Sequence, residues 1–91
     1  MFIKGGKQNE MENAMKTILR RLLNKRRIGG KHTEEKNVFR FAKNLSREDQ
    51  KQLEEDYKWC IQQGWIFLKK STGEVHISLN PHKLKEILEA V

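Results

Sequence analysis

The sequence predicts an α+β fold that is mostly helical, with three helices, a β-hairpin and a C-terminal helix. Apolar residues recur every three or four positions across most of residues 10–63, which is the period of an amphipathic helix. The pattern changes to alternation after Gly64, and an Asn-Pro pair then opens a last helical pattern. A chain of 91 residues makes one domain, which we predict at residues 10–91, after a Gly- and Lys-rich arm at residues 1–9.

The first two predicted helices lie in the basic half of the chain. Helix 1 is predicted at residues 10–27, where one apolar stripe opposes a polar side. Gly29 and Gly30 are expected to end it, because glycine adopts the left-handed conformation of a helix C-terminus at little cost. Thr33 is expected to cap helix 2, predicted at residues 34–43, with two glutamates at the positive end of its dipole.

Helix 3 has clear signals at both ends. Ser46 occupies the N-cap position, and Asp49 stands where a capping box would place a glutamate. No glycine or proline interrupts the stretch before Gly64, which is expected to stop the helix.

Residues 65–69 and 74–79 flank a Ser-Thr-Gly turn and predict a hairpin, with His76 and Ser78 facing outward. Trp65 and Phe67 make the first strand apolar on both faces, which predicts cover from helix 1 or helix 4, or a subunit interface. The predicted inward residues are Ile66, Leu68, Val75, Ile77 and Leu79 of the hairpin, and Leu84, Ile87, Leu88 and Val91 of helix 4.

Two segments carry a resemblance to a known family. Residues 42–46, at the corner between helices 2 and 3, and residues 60–66, at the entry to the hairpin, resemble small winged helix-turn-helix proteins. The likeness covers residues 10–91, and residues 28–33 and 77–81 also look like segments of small archaeal members. It implies binding of DNA or RNA, mostly in transcription, with helix 3 in the major groove and the hairpin, or wing, on the backbone.

The charge distribution argues against groove reading by helix 3. The chain has a net charge of +7, yet residues 1–45 hold 12 Lys/Arg and 4 Asp/Glu, whereas residues 46–68 hold 3 and 5. Carboxylates on helix 3 would repel phosphates, whereas grouped cations release counterions from them. We therefore expect nucleic acid, DNA more than RNA, to contact the helix 1–helix 2 surface and the wing. The predicted contact residues are Lys16, Arg20, Arg27, Lys31, His32, Lys36, Arg40, Lys43, Lys69 and Lys70.

Simpler explanations stay open for several of these residues. Lys25 and Arg26 crowd the last turn of predicted helix 1, where cations stabilise the helix dipole. The loop from Gly29 to Thr33 could present backbone N–H groups to a phosphate, or form a tight turn with His32 as a polar turn residue. The whole domain could instead be a protein-interaction module, an adaptor or a dimerisation unit, without nucleic acid. A homodimer fits either function.

Other classes of function are not predicted. One cysteine and three histidines fall in separate elements without ligand spacing, so we expect no metal site and no cofactor. Neither a nucleotide-binding loop nor a nucleophile motif is present, so neither an enzyme nor a small-molecule binder is expected. The longest apolar run, residues 64–68, is far shorter than a membrane span. Together with the single cysteine, this predicts a cytoplasmic nucleic-acid-binding protein, most simply a DNA-associated transcription regulator.

Overall fold

The computed structural model describes residues 13–91, which form four α-helices and a three-stranded antiparallel sheet. The expected α+β, mostly helical class is therefore confirmed. The predicted arm at residues 1–9 and the start of predicted helix 1 lie outside the described residues. In chain order the elements are α1 (Asn13–Asn24), β1 (Thr33–Glu34), α2 (Glu35–Val38), a 3-10 helix (Arg40–Asn44), α3 (Arg47–Gln62), β2 (Ile66–Ser71), β3 (Glu74–Leu79), a second 3-10 helix (Pro81–Lys83) and α4 (Leu84–Ala90).

The sheet has the order β1-β3-β2, so β3 is its central strand. The hairpin of β2 and β3 is confirmed, with Ile66 opposite Leu79 at its base. Strand β1 was not predicted: Thr33 pairs with Ile77 and Glu34 pairs with His76. The interpretation of Thr33 as a helix cap is wrong, because Glu34 occupies the N-cap position of α2 and Thr33 lies one residue before it.

Helix α1 ends earlier than the glycines predicted. The amide of Arg27 donates to the carbonyl of Leu22 at 2.8 Å, and the amide of Arg26 donates to the carbonyl of Leu23 at 3.0 Å. These two bonds form a Schellman motif with Arg26 in the left-handed position, where its φ is 55°. Gly29 also has a positive φ, but it lies in the loop beyond the helix. Arg27 is consequently outside α1, and helical periodicity no longer aligns it with Arg20.

Helix 2 is shorter than its predicted range. The α-helical part, α2, has four residues, and its N-cap residue Glu34 makes no capping bond through its side chain. The chain then tightens, since the amides of Ala42 and Leu45 donate to carbonyls only three residues earlier. The side-chain amide of Gln50 donates to the carbonyls of Ala42 and Leu45 at 2.9 and 3.2 Å, which ties this turn to α3.

Helix α3 begins and ends as its sequence signals predict. The amide of Asp49 donates to the hydroxyl of Ser46 at 3.1 Å, which confirms the cap. At the other end Gly64 has a φ of 76°, and its amide and that of Trp65 donate back to Ile61 and Cys60. This is a second Schellman motif, here with glycine in the left-handed position.

The core lies between α1, α3, the sheet and α4. Three of the five predicted inward positions of the hairpin are buried, namely Ile66, Ile77 and Leu79, and Val75 is half-buried. Leu68 is 42% exposed, because burial along β2 stops after Ile66. The buried apolar residues are Met15, Ile18, Leu19, Leu22, Val38, Leu53, Cys60, Trp65, Ile66, Ile77, Leu79 and Ile87.

Two further predictions about exposure are wrong. Ser78, expected outside, is only 3% exposed, because its hydroxyl donates to the carbonyl of Gly29 at 2.8 Å in the loop that packs on β3. Leu88, expected on the inner face of the last helix, is 57% exposed, whereas Ile87 on the same helix is buried.

Trp65 and Phe67 have different surroundings, although they alternate with Ile66 and Leu68 in the sequence of the first hairpin strand. Trp65 is buried, packs edge-on against Trp59 at 5.1 Å between ring centroids, and donates from Nε1 to Glu86 at 3.1 Å. Because Glu86 belongs to α4, the last helix contacts Trp65, which is one of the three alternatives predicted for this strand. Phe67 is 44% exposed.

Helices α2 and α3 are joined by a partly buried hydrogen bond. The Tyr57 hydroxyl donates to the Glu35 carboxylate at 2.6 Å, and the Tyr57 ring packs edge-on against Phe39. Burial, and then the bond to Glu35, raise the pKa of Tyr57 above its ordinary value of 10.0. A hydroxyl whose pKa is raised by folding contributes stability that is complete below pH 10 and is lost as the pH rises above it.

Replacing Tyr57 by phenylalanine is expected to lower the free energy of unfolding by about 1–2 kcal/mol at neutral pH, because a hydrogen bond to a charged acceptor is lost. The variant should also lose less stability than the natural chain above pH 10. Denaturant unfolding of both chains at neutral and alkaline pH measures the difference. Since the chain has one tyrosine, its ionisation can be followed directly by ultraviolet absorbance. Equal alkaline losses in the two chains would contradict the prediction.

Candidate nucleic-acid interface

Three cations line one pocket where the end of α1 approaches α2. Arg21 and Lys25 come from the last turn of α1 and the residue after it, and Arg27 follows the Schellman turn. The cavity has a volume of about 480 Å³. The other lining residues within the described part of the chain are neutral: Thr33 and Asn37 are polar, and Leu22 and Val38 are apolar. We call this cavity the basic pocket.

Backbone bonds fix the position of Arg27 in the basic pocket. Its amide donates to Leu22 of α1 at 2.8 Å, and its carbonyl accepts from the amide of Leu79 of β3 at 2.8 Å. The loop after Arg27 is also bonded to β3, since the amide of Gly29 donates to the carbonyl of Leu79 at 2.9 Å. The loop is therefore anchored to both a helix and the central strand.

The side chains of the pocket also have defined contacts. The Arg21 guanidinium lies 5.0 Å from the centroid of the Phe41 ring, a cation–π contact that orients it. Within residues 13–91, Nε of Arg27 is buried without a hydrogen-bond partner. Burying such a donor costs about 1–3 kcal/mol, so the packing around Arg27 must hold its side chain in place.

A chain of polar contacts extends from the pocket along α2. Arg40 donates from Nη2 to Oδ1 of Asn37 at 2.9 Å, which places this predicted contact residue beside a residue of the basic pocket. Nδ2 of Asn37 lies 3.5 Å from a Glu34 oxygen, and the Lys36 ammonium lies 3.5 Å from the other. Glu34 therefore offsets part of the positive charge at this rim.

Residues of the loop that follows Arg27 also line a second cavity. His32 and His76 approach with their Nδ1 atoms 3.0 Å apart, and Nε2 of His76 lies 2.9 Å from a Glu74 oxygen. Lys69 lies directly opposite His76 in the hairpin. The cavity, which we call the histidine pocket, has a volume of about 220 Å³ and is lined by Gly29, Gly30, His32, Phe67, Lys69, His76 and Ser78.

The two wing lysines lie on opposite faces of the sheet. Lys69 pairs with His76, and Lys70 pairs with Val75. Side chains of directly opposed residues share a face, and successive residues alternate between faces. Lys69 therefore lies on the side of the histidine pocket, whereas Lys70 lies on the other side. The contact of both lysines with phosphate stays a prediction, and the alternation means that the two side chains leave the sheet on opposite faces.

The structure brings together only some of the ten predicted contact residues. Arg27 lines the basic pocket, and Arg40 bonds to it through Asn37. His32 and Lys69 line the histidine pocket. Lys43 instead lines a separate groove with residues of α3 that include Glu54. The remaining predicted residues are exposed or half-exposed elsewhere, namely Lys16 and Arg20 on α1, Lys31 in the loop, Lys36 on α2 and Lys70 on β2.

Sequence reasoning missed four polar residues of the basic pocket, Arg21, Lys25, Thr33 and Asn37. The position of Lys25 at the end of predicted helix 1 indicates a partner of the helix dipole, and the predicted contact surface does not include Arg21. A usable signal was present, because Arg21 and Lys25 are four residues apart and so share one side of a helix. The contribution of Asn37 depends on how α2 is placed against α1.

The outward face of α3 agrees with its predicted mixed charge. Glu48, Lys51, Glu55 and Lys58 are all exposed. Asp56, a further carboxylate of α3, does not add to this face, because it is only 1% exposed and accepts a hydrogen bond from Gln52 at 3.1 Å. The acidic character of the outer surface is therefore weaker than predicted, although carboxylates still alternate with lysines along it.

Within residues 13–91, no group of three or more His, Cys, Asp or Glu side chains is arranged to hold a metal ion. In the same part of the chain, no helix combines the length and apolar character needed to cross a membrane. Comparison with protein-family models, with curated proteins and with solved structures gave no match for this chain.

Proposed function

We propose that this chain is a winged-helix nucleic-acid-binding protein, a DNA-associated transcription regulator that contacts phosphates through a basic surface. That surface consists of the basic pocket, Lys16 and Arg20 on α1, the loop of residues 28–32 and Lys69 on the wing. One observation carries the proposal: Arg21, Lys25 and Arg27 line a single cavity, and no carboxylate joins them among the lining residues that belong to residues 13–91.

The two pockets share one loop, which supports a continuous contact surface. Arg27 and Thr33 at the ends of the loop line the basic pocket, and Gly29, Gly30 and His32 between them line the histidine pocket. A polyanion lying along the loop would meet cations of both pockets. Phosphate contacts of this kind position a protein on nucleic acid without reading sequence.

Helix α3 takes a minor part in this mode of binding. Glu48 and Glu55 alternate with Lys51 and Lys58 on its outward face, so a phosphate close to either lysine would also be close to a carboxylate. The usual insertion of this helix into the major groove is therefore unfavourable here, and the basic surface replaces it as the main contact.

Salt titration tests the proposal. The affinity of the full chain for a generic duplex DNA and for a duplex RNA of equal length should fall steeply with salt, because binding releases counterions. About four phosphate contacts would give a slope of about −3.6 in a plot of log affinity against log salt concentration. Absence of binding to both polymers at low salt would overturn the proposal. Tighter binding of RNA than of DNA would leave the proposed contact surface unchanged, but it would replace transcription regulation by a function in RNA binding.

A protein-interaction module is the second candidate function, and exposed apolar residues favour it. Phe67 and Leu68 on β2 and Leu88 on α4 are all exposed. Strand β2 is also an edge of the sheet, and an unpaired edge can accept another strand. Light scattering across a concentration series would show self-association. A protein that stays monomeric and binds duplexes would exclude dimerisation as its main role.

A further inference from the structure

We propose that the basic pocket binds the terminal phosphomonoester of a nucleic-acid strand. The inference rests on the proposed function and narrows it from phosphate contacts in general to recognition of a strand end. It concerns one cavity, lined by Arg21, Lys25, Arg27, Thr33 and Asn37 above the apolar Leu22 and Val38.

The shape of the pocket favours a strand end over an internal phosphate. Its volume of about 480 Å³ lies within the range of small-ligand sites. Leu22 and Val38 are both buried, so the cavity reaches down to the hydrophobic core. An internal phosphodiester is flanked by sugars on both sides and stays at the mouth of such a cavity. A terminal phosphate continues into the chain on one side only, so it can enter.

The charge of the pocket matches a dianion. A phosphomonoester carries about −1.5 to −2 charges at neutral pH and has three free oxygens, whereas a backbone diester carries a single charge. Arg21 and Arg27 each offer a planar fork of donors, and such forks bind phosphate oxygens in pairs. Lys25 adds a third positive charge, and the Thr33 hydroxyl adds a neutral donor.

The pocket is built before any ligand arrives. The Arg27 backbone is bonded to α1 and to β3, and Arg21 is stacked on Phe41. Binding to such a site costs little ordering entropy, which favours affinity for a single small group. A surface that attracts phosphates only through its overall charge would not need arginines held in fixed positions. The fixed positions of Arg21 and Arg27 therefore favour a discrete binding site.

The experiment compares strands that differ only at one end. Three single strands of one sequence carry a 5′-phosphate, a 3′-phosphate or no terminal phosphate, each with the same internal fluorophore, and anisotropy reports binding to the full chain. We expect a terminal phosphate to tighten binding roughly tenfold, as for one added charge-assisted pair of hydrogen bonds. Inorganic phosphate and a nucleoside monophosphate serve as competitors.

Two charge-matched variants locate the effect. In the double variant Lys25→Gln/Arg27→Gln, the preference for phosphorylated strands should disappear. In Lys16→Gln/Arg20→Gln, which removes two charges from α1 outside the pocket, overall affinity should fall while the preference remains. If the double variant Lys25→Gln/Arg27→Gln does not fold, the single variant Lys25→Gln replaces it, because Lys25 is exposed. The single variant should reduce the preference for phosphorylated strands severalfold.

The outcomes separate this inference from the proposed function. Equal, salt-dependent binding of all three strands would overturn end recognition and leave the proposed function standing. Failure of every strand and duplex to bind would overturn both. If a nucleoside monophosphate binds as tightly as the phosphorylated strand, the ligand of the pocket is a free nucleotide and not a strand end. That result would also overturn the inference.

Discussion

Replacing Arg20 and Arg27 together by glutamine is expected to weaken binding to duplex DNA at least tenfold at moderate salt. Arg27 lines the basic pocket, and Arg20 is exposed on the preceding helix. Hydrogen bonds to charged groups contribute about 1.5–3 kcal/mol each, so the loss of even one such contact accounts for a tenfold effect. Electrophoretic mobility shift at several salt concentrations measures it.

The matched control is the pair Lys51 and Lys58, replaced in the same way on the outward face of α3. Both variants lose two positive charges, so a difference between them reports where the charges lie. We expect the α3 variant to keep its affinity within about threefold, because each of these lysines has carboxylates beside it. The salt slope of the arginine variant should also fall by about 1.8, the loss of two phosphate contacts. The reverse order of effects would place the interface on α3.

Helix α3 shows which parts of this fold are readable from sequence. Its start depends on Ser46 and Asp49, and its end on Gly64, all of which act within one or two turns of the residues they cap. The hairpin is equally local, since β2 and β3 are joined by a two-residue turn after Ser71. All residues that determine these features lie within a short stretch of sequence, so periodicity and capping rules can predict them.

Strand β1 shows what local signals miss. Thr33 followed by two glutamates has the composition of a helix start, yet it pairs with Ile77, far along the chain. A short window of sequence around Thr33 does not contain its pairing partner, so local patterns cannot predict the stabilisation that this pairing provides. The contact between His32 and His76 depends on the same pairing, because it places residue 32 beside the central strand.

The candidate site was partly predictable for a similar reason. Sequence identified the basic half of the chain, because a net charge can be counted. The convergence of Arg21, Lys25 and Arg27 depends on where α1 ends. That end has Arg26 in the left-handed position, a conformation that costs a residue with a side chain about 1–2 kcal/mol. Bonds from the loop to Leu79 of β3 support it, so tertiary structure overrides the preference for glycine.

Replacing Leu79 by alanine should lower the free energy of unfolding by about 3–4 kcal/mol, because its side chain is 0% exposed and its loss leaves a cavity. Leu68→Ala is the matched control. It removes the same atoms from the same face of the neighbouring strand, but Leu68 is 42% exposed, so we expect a loss below about 1 kcal/mol. Denaturant unfolding measures both values, and equal losses would mean that burial along the hairpin is misassigned.

The Leu79 variant also tests the link between the core and the basic pocket. The backbone of Leu79 bonds to the carbonyl of Arg27 and to the amide of Gly29, so a shift of β3 displaces the loop that carries the arginine. We therefore expect Leu79→Ala to weaken duplex binding several-fold even at temperatures where the variant is still folded, whereas Leu68→Ala should bind as the natural chain does. Unchanged binding by a folded Leu79→Ala chain would show that the loop holds the pocket without help from β3.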